Sequence, residues 1–249
     1  MPNDPYLDAS VAWRIRSGSI EFQEADYRTT VNTILSSGLA TEVVRMISAG
    51  KEADVYLCRY RSAPLAVKVY RLYRTSHRGG RPIKLEAAGC LAAHEWDMLL
   101  QAWRGGATVP TPARRVENML SMRFLGNGDD PAPRLQDAMM HDPSSMMRLT
   151  LEGVEQLARS GVVHSDLSAY NILVQDDRPW FIDLSEGIRV DRVGYSAWQR
   201  WGRAEGAVKA GLIALHSFFR KRGCEFNIDE TAALVMEQAR RQREENINH

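Results

Sequence analysis

Cysteine is scarce: Cys58, Cys90 and Cys224 are the only three among 249 residues. They lie far apart and form no CxxC pair, so neither a disulfide framework nor a zinc site is expected. Buried or inert thiols in a reducing compartment are the expectation instead. No stretch approaches the ~20 apolar residues needed to span a bilayer. No basic segment followed by an apolar core opens the chain, so no signal peptide is expected and the reading is a cytoplasmic protein with no membrane partner. An excess of one charge is missing too: 32 Lys and Arg face 31 Asp and Glu, for a net charge of +1. The whole molecule therefore lacks the strong positive field of a general nucleic-acid binder. There is no internal repeat and no low-complexity tract.

What is present is ordinary in bulk and specific in detail. The apolar and charged fractions, 44% and 25%, are those of a globular chain. The length suits one large domain or two small lobes. Residues 1–42 read as an extension that packs on the main body. From Val43 the pattern turns strand-like, with Val43–Ile47, a turn at Ser48-Ala49-Gly50, then Asp54–Cys58 and Leu65–Tyr70. Residues 71–84 are basic and carry Gly79, Gly80 and Pro82, which predicts a mobile loop. A proline-free run rich in Ala, Leu and Glu predicts a helix over 85–103, ended by Gly105-Gly106. A strand is expected over 115–125 and a linker over 126–133. The next helix, 144–160, is expected to bury Met147, Leu151, Val154 and Ala158 and to stop at Gly161. Strands at 172–174 and 180–183 precede a mostly helical remainder.

The sharpest chemical signal is His164-Ser165-Asp166-Leu167-Ser168-Ala169-Tyr170-Asn171, which fits H-x-D-L-x-x-x-N. A carboxylate there can orient an attacking hydroxyl, and an amide a few residues later can reach a metal on a nucleotide. Asp183 follows Asn171 by twelve residues, behind the apolar Trp180-Phe181-Ile182. A carboxylate at that point suits Mg²⁺, which prefers hard oxygen ligands. Lys68, in Ala66-Val67-Lys68, is an ammonium flanked by apolar strand residues and costly to bury alone. Glu95 is the candidate partner on the following helix, with Glu86 as the runner-up. The turn Ser48-Ala49-Gly50-Lys51-Glu52-Ala53-Asp54-Val55 matches G-x-G-x-x-G-x-V only at Gly50 and Val55, so a plain hairpin competes with a phosphate loop. The expected architecture is α+β and two-lobed, a protein-kinase-like fold with a β-rich N-lobe at 43–125 and a helical C-lobe at 126–249.

Together these residues resemble the RIO atypical serine kinases. The likeness runs over about residues 43–226. It rests on Gly50-Lys51-Glu52-Ala53-Asp54-Val55-Tyr56, Ala66-Val67-Lys68-Val69-Tyr70, Met122–Gly126, Asp130–Pro133, His164–Ser168 and Ile182–Ser185. The resemblance implies that this kinase-like fold is trimmed. It implies MgATP, with Mn²⁺ as an alternative ion, and the catalytic residues Asp166, Lys68 and Asp183. It implies nucleotide contacts from Ser48, Gly50, Lys51, Val55, Lys68 and Glu95, adenine contacts from Met122 and the backbones of Arg123 and Leu125, and metal contacts from Asn171 and Asp183. It also implies a link to maturation of the small ribosomal subunit, and Asp183 matches an aspartate that itself can accept phosphate. The sequence departs from the pattern at Ser165 and Glu186, where relatives carry a smaller residue and a glutamine.

The expected activity is phosphorylation of serine on a protein, including the chain itself. No Ala-Pro-Glu triplet follows Asp183, so an ordinary peptide-docking segment is not expected. Two other readings stay open. One is an ATPase-driven binding switch on a ribosomal or ribonucleoprotein particle. Its RNA contact would come from Arg71, Arg74, Arg78, Arg81 and Lys84, against the plainer reading of a solvated loop. The other is a small-molecule kinase of the aminoglycoside or choline type, since those enzymes share the H-x-D and Ile-Asp elements.

Overall fold

In the computed structural model the described residues are 27–50, 52–71, 85–192 and 197–247. They fall into two units of contacts. One comprises the described residues up to Ala93 together with Ala113–Phe124, the other His94–Pro112 and the described residues from Leu125.

The first unit is built on an antiparallel five-stranded sheet in the order β1-β2-β3-β5-β4. Its strands are β1 (Glu42–Ala49), β2 (Ala53–Tyr60), β3 (Ala63–Tyr70), β4 (Pro112–Val116) and β5 (Met119–Arg123). The alternation read over 43–70 appears as two tight hairpins. Val55 faces Lys68 across β2 and β3, and Lys68 faces Leu120 across β3 and β5. Edge strand β1 carries register shifts at Val43/Arg45 and Met46/Ser48, and such bulges twist an exposed edge away from foreign pairing. Helix α1 (Tyr27–Ser36) seals one face of this sheet. Ile34, Leu39 and Ala40 pack with Tyr56, Cys58, Val67 and Met119. The single strand expected over 115–125 is two, because Glu117 takes φ 49° and turns the chain between β4 and β5.

Helix α2 (Leu85–Arg104) begins in the first unit and ends in the second. The second unit also holds β6 (Gly126–Asn127), β7 (Asp130–Pro131), α3 (Pro143–Arg159), β8 (Val162–Val163), β9 (Ile172–Gln175), β10 (Arg178–Phe181), β11 (Ile188–Arg189), α4 (Ala197–Arg220) and α5 (Ile228–Ile247). The linker expected over 126–133 contains the small β6–β7 hairpin. Asp142 caps α3 by accepting the Ser145 N–H at 3.0 Å, with Pro143 in the first turn, a favourable start for a helix. The buried face of α3 is Met146, Thr150, Gly153, Val154, Leu157 and Ala158, so Met147 and Leu151 are only half-buried, contrary to the apolar stripe read from the sequence. Gly153 lets Phe181 approach, since a Cβ there would lie 2.3 Å from the ring. Thr150 hides its hydroxyl by donating to the Met146 carbonyl at 2.8 Å. Gly161, at φ 83°, ends the helix region as expected.

Candidate active site

In the second unit, β8, β9 and β10 bring the H-x-D-L-x-x-x-N segment and Asp183 to one place. His164 is 4% exposed. Its Nε2 lies 3.0 Å from the Ile182 carbonyl, and its Nδ1 lies 3.3 Å from the Asp166 N–H. A carbonyl can only accept and an amide N–H can only donate. These partners assign the neutral ring with hydrogen on Nε2. Burial holds the imidazole below its usual pKa of 6.5, against the smaller opposing effects of the Ile182 carbonyl and of Asp183, Asp166 and Glu95. His164 is thus a bolt between the loop and the chain entering Asp183.

Asp166 itself is exposed. Asn171 Nδ2 donates to its backbone carbonyl at 2.7 Å and to Oδ2 at 2.9 Å. Both partners are acceptors, so the nitrogen of the amide must face Asp166 and Oδ1 is turned the other way. The Asn171 carbonyl accepts the Ile182 N–H at 3.0 Å, which fixes Asn171 beside the segment carrying Asp183. Asp183 lies two residues beyond β10 rather than within the strand expected there, and takes φ 59°. A left-handed aspartate stores strain, and such conformations gather at functional sites. Ser185, quoted in the sequence only as part of a motif, donates its hydroxyl to Asp183 Oδ1 at 2.7 Å. Leu167 is wedged against Gly211 of α4, where a Cβ would come within 2.7 Å of the leucine Cβ.

An amide oxygen and a carboxylate are a hard-oxygen pair of the kind Mg²⁺ accepts when phosphates and water complete its shell. Among the described residues no group of three or more His, Cys, Asp or Glu gathers to hold a metal alone. The residues therefore fit a nucleotide-borne Mg²⁺ better than a caged ion. Glu95, only 2% exposed, belongs to this unit and contributes to the field at His164.

In the first unit Lys68 is 8% exposed, with Nζ 5.2 Å from the Tyr70 ring centroid. The turn between β1 and β2 is closed by the Gly50 N–H donating to the Ala53 carbonyl at 2.9 Å. A Cβ on Gly50 would lie 2.7 Å from that same oxygen, so the close approach needs glycine. Ser48 and Val55 are half-buried partners across β1 and β2. Lys51 lies outside the described residues, as does the side chain of Glu86. Arg71 was grouped in sequence with the basic loop, but its guanidinium forks onto Asp54 at 2.9 and 2.5 Å. Its N–H also donates to the Glu52 carbonyl at 2.8 Å. Arg71 therefore braces the base of the turn; Arg74, Arg78, Arg81 and Lys84 lie outside the described residues. Met122 packs against the cluster of Leu57, Ala66 and Phe124, and Arg123 is exposed. The Leu125 carbonyl accepts the Ala132 N–H at 3.0 Å.

Comparison with known proteins bears on the residues of each unit. The family model described as the RIO domain matches residues 54–232. The RIO-type serine/threonine-protein kinase Rio1 of Methanocaldococcus jannaschii is 33% identical over 178 residues, covering 66% of this chain and 61% of that protein. Rio1 of Haloferax volcanii is 29% identical over 207 residues, covering 76% of this chain and 67% of its own length. Human RIO1 is 27% identical over 180 residues, and the match spans 64% of this chain but 31% of that protein. Among solved structures, the Rio2 kinase of Chaetomium thermophilum in its ADP/Mg²⁺-phosphoaspartate complex superposes with TM-score 0.62 at 18% identity, covering 96% of this chain and 83% of that one. That likeness shows the fold: α+β, kinase-like and two-lobed.

Proposed function

Because this chain belongs to the RIO domain family, we propose that it is an ATP-dependent serine/threonine protein kinase that transfers the γ-phosphate of MgATP to a serine hydroxyl, its own included. The observation that carries the reading is the pairing of Asp166 with Asn171, whose Nδ2 donates to it at 2.7 and 2.9 Å beside the exposed Asp183. This arrangement separates two jobs. Asp166, held by Asn171 and by the loop that His164 pins, orients the acceptor hydroxyl and takes its proton. Asp183 and Asn171 Oδ1 present oxygen ligands, and Lys68 presents a cation to phosphate oxygens. Mg²⁺ bound there neutralises charge on the phosphates. The protein's share of the rate gain is positioning and charge stabilisation.

The relatives matched are named serine/threonine-protein kinases, and the Rio2 structure holds ADP and Mg²⁺. The phosphoaspartate in that complex supports a variant in which Asp183 carries phosphate transiently. Mn²⁺ suits the same oxygen ligands. A cytoplasmic location and a small-ribosomal-subunit or RNA partner, reached through residues 71–84, belong to the same reading. No helix among the described residues is long and apolar enough to cross a membrane.

The deciding experiment incubates the purified chain with γ-labelled ATP and Mg²⁺ beside Asp166→Ala and Asp183→Ala. Acid-stable label on serine, lost in both variants, is expected. Hydroxylamine-sensitive label that survives in Asp166→Ala and vanishes in Asp183→Ala would establish the aspartyl variant. Free phosphate without stable label would replace the kinase with an ATPase switch. Bound ATP with no transfer to protein or water would leave a small-molecule kinase as the better reading.

A further inference from the structure

The chain just beyond Asp183 is tied to α2 by contacts that the proposed chemistry does not use. His94 Nε2 donates to the Gly187 carbonyl at 3.0 Å. Asp97 accepts Arg189 Nη1 at 3.2 Å on each oxygen, and Arg192 Nη2 at 2.6 Å. The other side of the Arg189 guanidinium forks onto Asp191, Nε at 2.7 Å and Nη2 at 2.6 Å. Gly187 fits against Met98, for a Cβ would lie 2.8 Å from the methionine Cγ. Residues 94, 97 and 98 stand at helical spacings of three and four, so one stripe of α2 is committed to 187–192. Glu95 lies on the same turn, almost wholly buried.

The Arg189 and Asp191 side chains keep only 12% and 7% of their exposure, while Asp97, which makes the tie to α2, keeps 39%. A two-pronged guanidinium–carboxylate contact fixes direction as well as distance. In kinase-fold enzymes the helix glutamate and the Mg²⁺-binding aspartate must be in place together, and phosphorylation of the segment after that aspartate commonly secures them. Here an arginine held between two aspartates occupies that segment, and its charges are written into the sequence. The Ala-Pro-Glu triplet that closes the usual regulated segment is absent from the chain.

We propose that Arg189 is a positioning residue which, through Asp97 and Asp191, holds the Glu95-bearing turn of α2 in register with the chain leaving Asp183. The link to turnover rests on the kinase reading above; the mechanical tie does not.

The test uses the full chain and its Arg189→Ala, Arg189→Lys, Asp97→Asn and Arg189→Ala/Asp97→Asn variants. Hydrogen exchange is followed alongside initial rates at varied ATP. In Arg189→Ala, amides of 94–100 and 184–192 should exchange faster together while those of α4 and α5 stay unchanged. The kcat should fall ~10-fold or more, since small misplacements at a reacting centre are costly. Arg189→Lys should recover part of the loss, and the double variant should be no worse than the poorer single. Should Arg189→Ala not fold, Asp97→Asn carries the same expectations. The proposal is overturned by exchange that rises everywhere or nowhere, or by kcat within about twofold of wild type in a folded variant. A wild-type chain with no turnover at all would sink the kinase reading, and the exchange pattern alone would then decide the tie.

Discussion

His164 shows how much of the site depends on where one proton sits. Its neutral ring gives a hydrogen to the Ile182 carbonyl and takes one from the Asp166 amide. A second ring proton would turn that acceptor into a donor facing a donor. Burial lowers its pKa from 6.5 in the folded chain. Below that value the unfolded chain binds a proton that the folded chain refuses, so stability rises with pH there. The contribution is complete above about pH 6.5 and is lost as pH falls from there towards the folded value, at up to ~1.4 kcal/mol per pH unit. Denaturant melts of wild type and His164→Gln should diverge in slope over that acid limb. Parallel slopes would mean that the folded ring is charged. That Asp166, Asn171 and the chain entering Asp183 come together was legible in the sequence because the motifs that carry them are short and close. The Ser185 bond to Asp183 and the Arg71 fork on Asp54 were not, because a side chain's partner across a turn or between strand ends leaves no periodic trace. Arg71 misled for a related reason: it sits at the edge of a basic run whose other members made it look solvated.

Helix α3 makes the corresponding case for an element. Its extent and its Gly161 stop were readable, and Val154 and Ala158 do lie on the buried face, but Met147 and Leu151 are only half-buried. The apolar count pointed to Met147 and Leu151, while the face that packs includes Thr150 and Gly153, two residues that hydropathy does not mark as core. Thr150 qualifies by bonding its own helix, and Gly153 by making room for the fully buried Phe181. That ring ends the strand leading to Asp183, so the packing anchors the chain entering that aspartate as well as the core. Gly153→Ala would push a methyl to 2.3 Å from Phe181 Cε2. It should destabilise the chain by about 1–3 kcal/mol, as overpacking does. Gly206, exposed in α4 with nothing within 4 Å of its would-be Cβ, is the control. Gly206→Ala should stabilise by up to ~1 kcal/mol through helix propensity alone. Chemical denaturation of the two variants checks both signs, and two losses of equal size would refute the assignment of Gly153 to a packed face.

For the whole molecule, the order of elements carried the fold: a strand-rich first part, one long helix, then helices framing short strands. That order was visible because hairpin turns and helix stops are local. The two-part division of α2 was not, since a continuous helical pattern contains no mark of where its neighbours change. Lys68 falls in one contact unit, and Asp183 with Asn171 in the other. A ligand that binds only the folded chain stabilises it by mass action, ~2.7 kcal/mol at a hundred times its Kd. MgATP should therefore raise the melting temperature of the wild-type chain, and ATP with excess chelator should raise it less. On the proposed function, Lys68→Met should weaken the rise with or without Mg²⁺, because that reading assigns this cation to phosphate. On the same reading Asp183→Asn should remove chiefly the Mg²⁺-dependent part, because it assigns this carboxylate to the metal. A Lys68→Met chain that keeps the full shift, or an Asp183→Asn chain that keeps its full dependence on Mg²⁺, would take that residue out of nucleotide binding. Because the two variants are separated by what the metal adds, a general loss of stability in either cannot imitate the pattern.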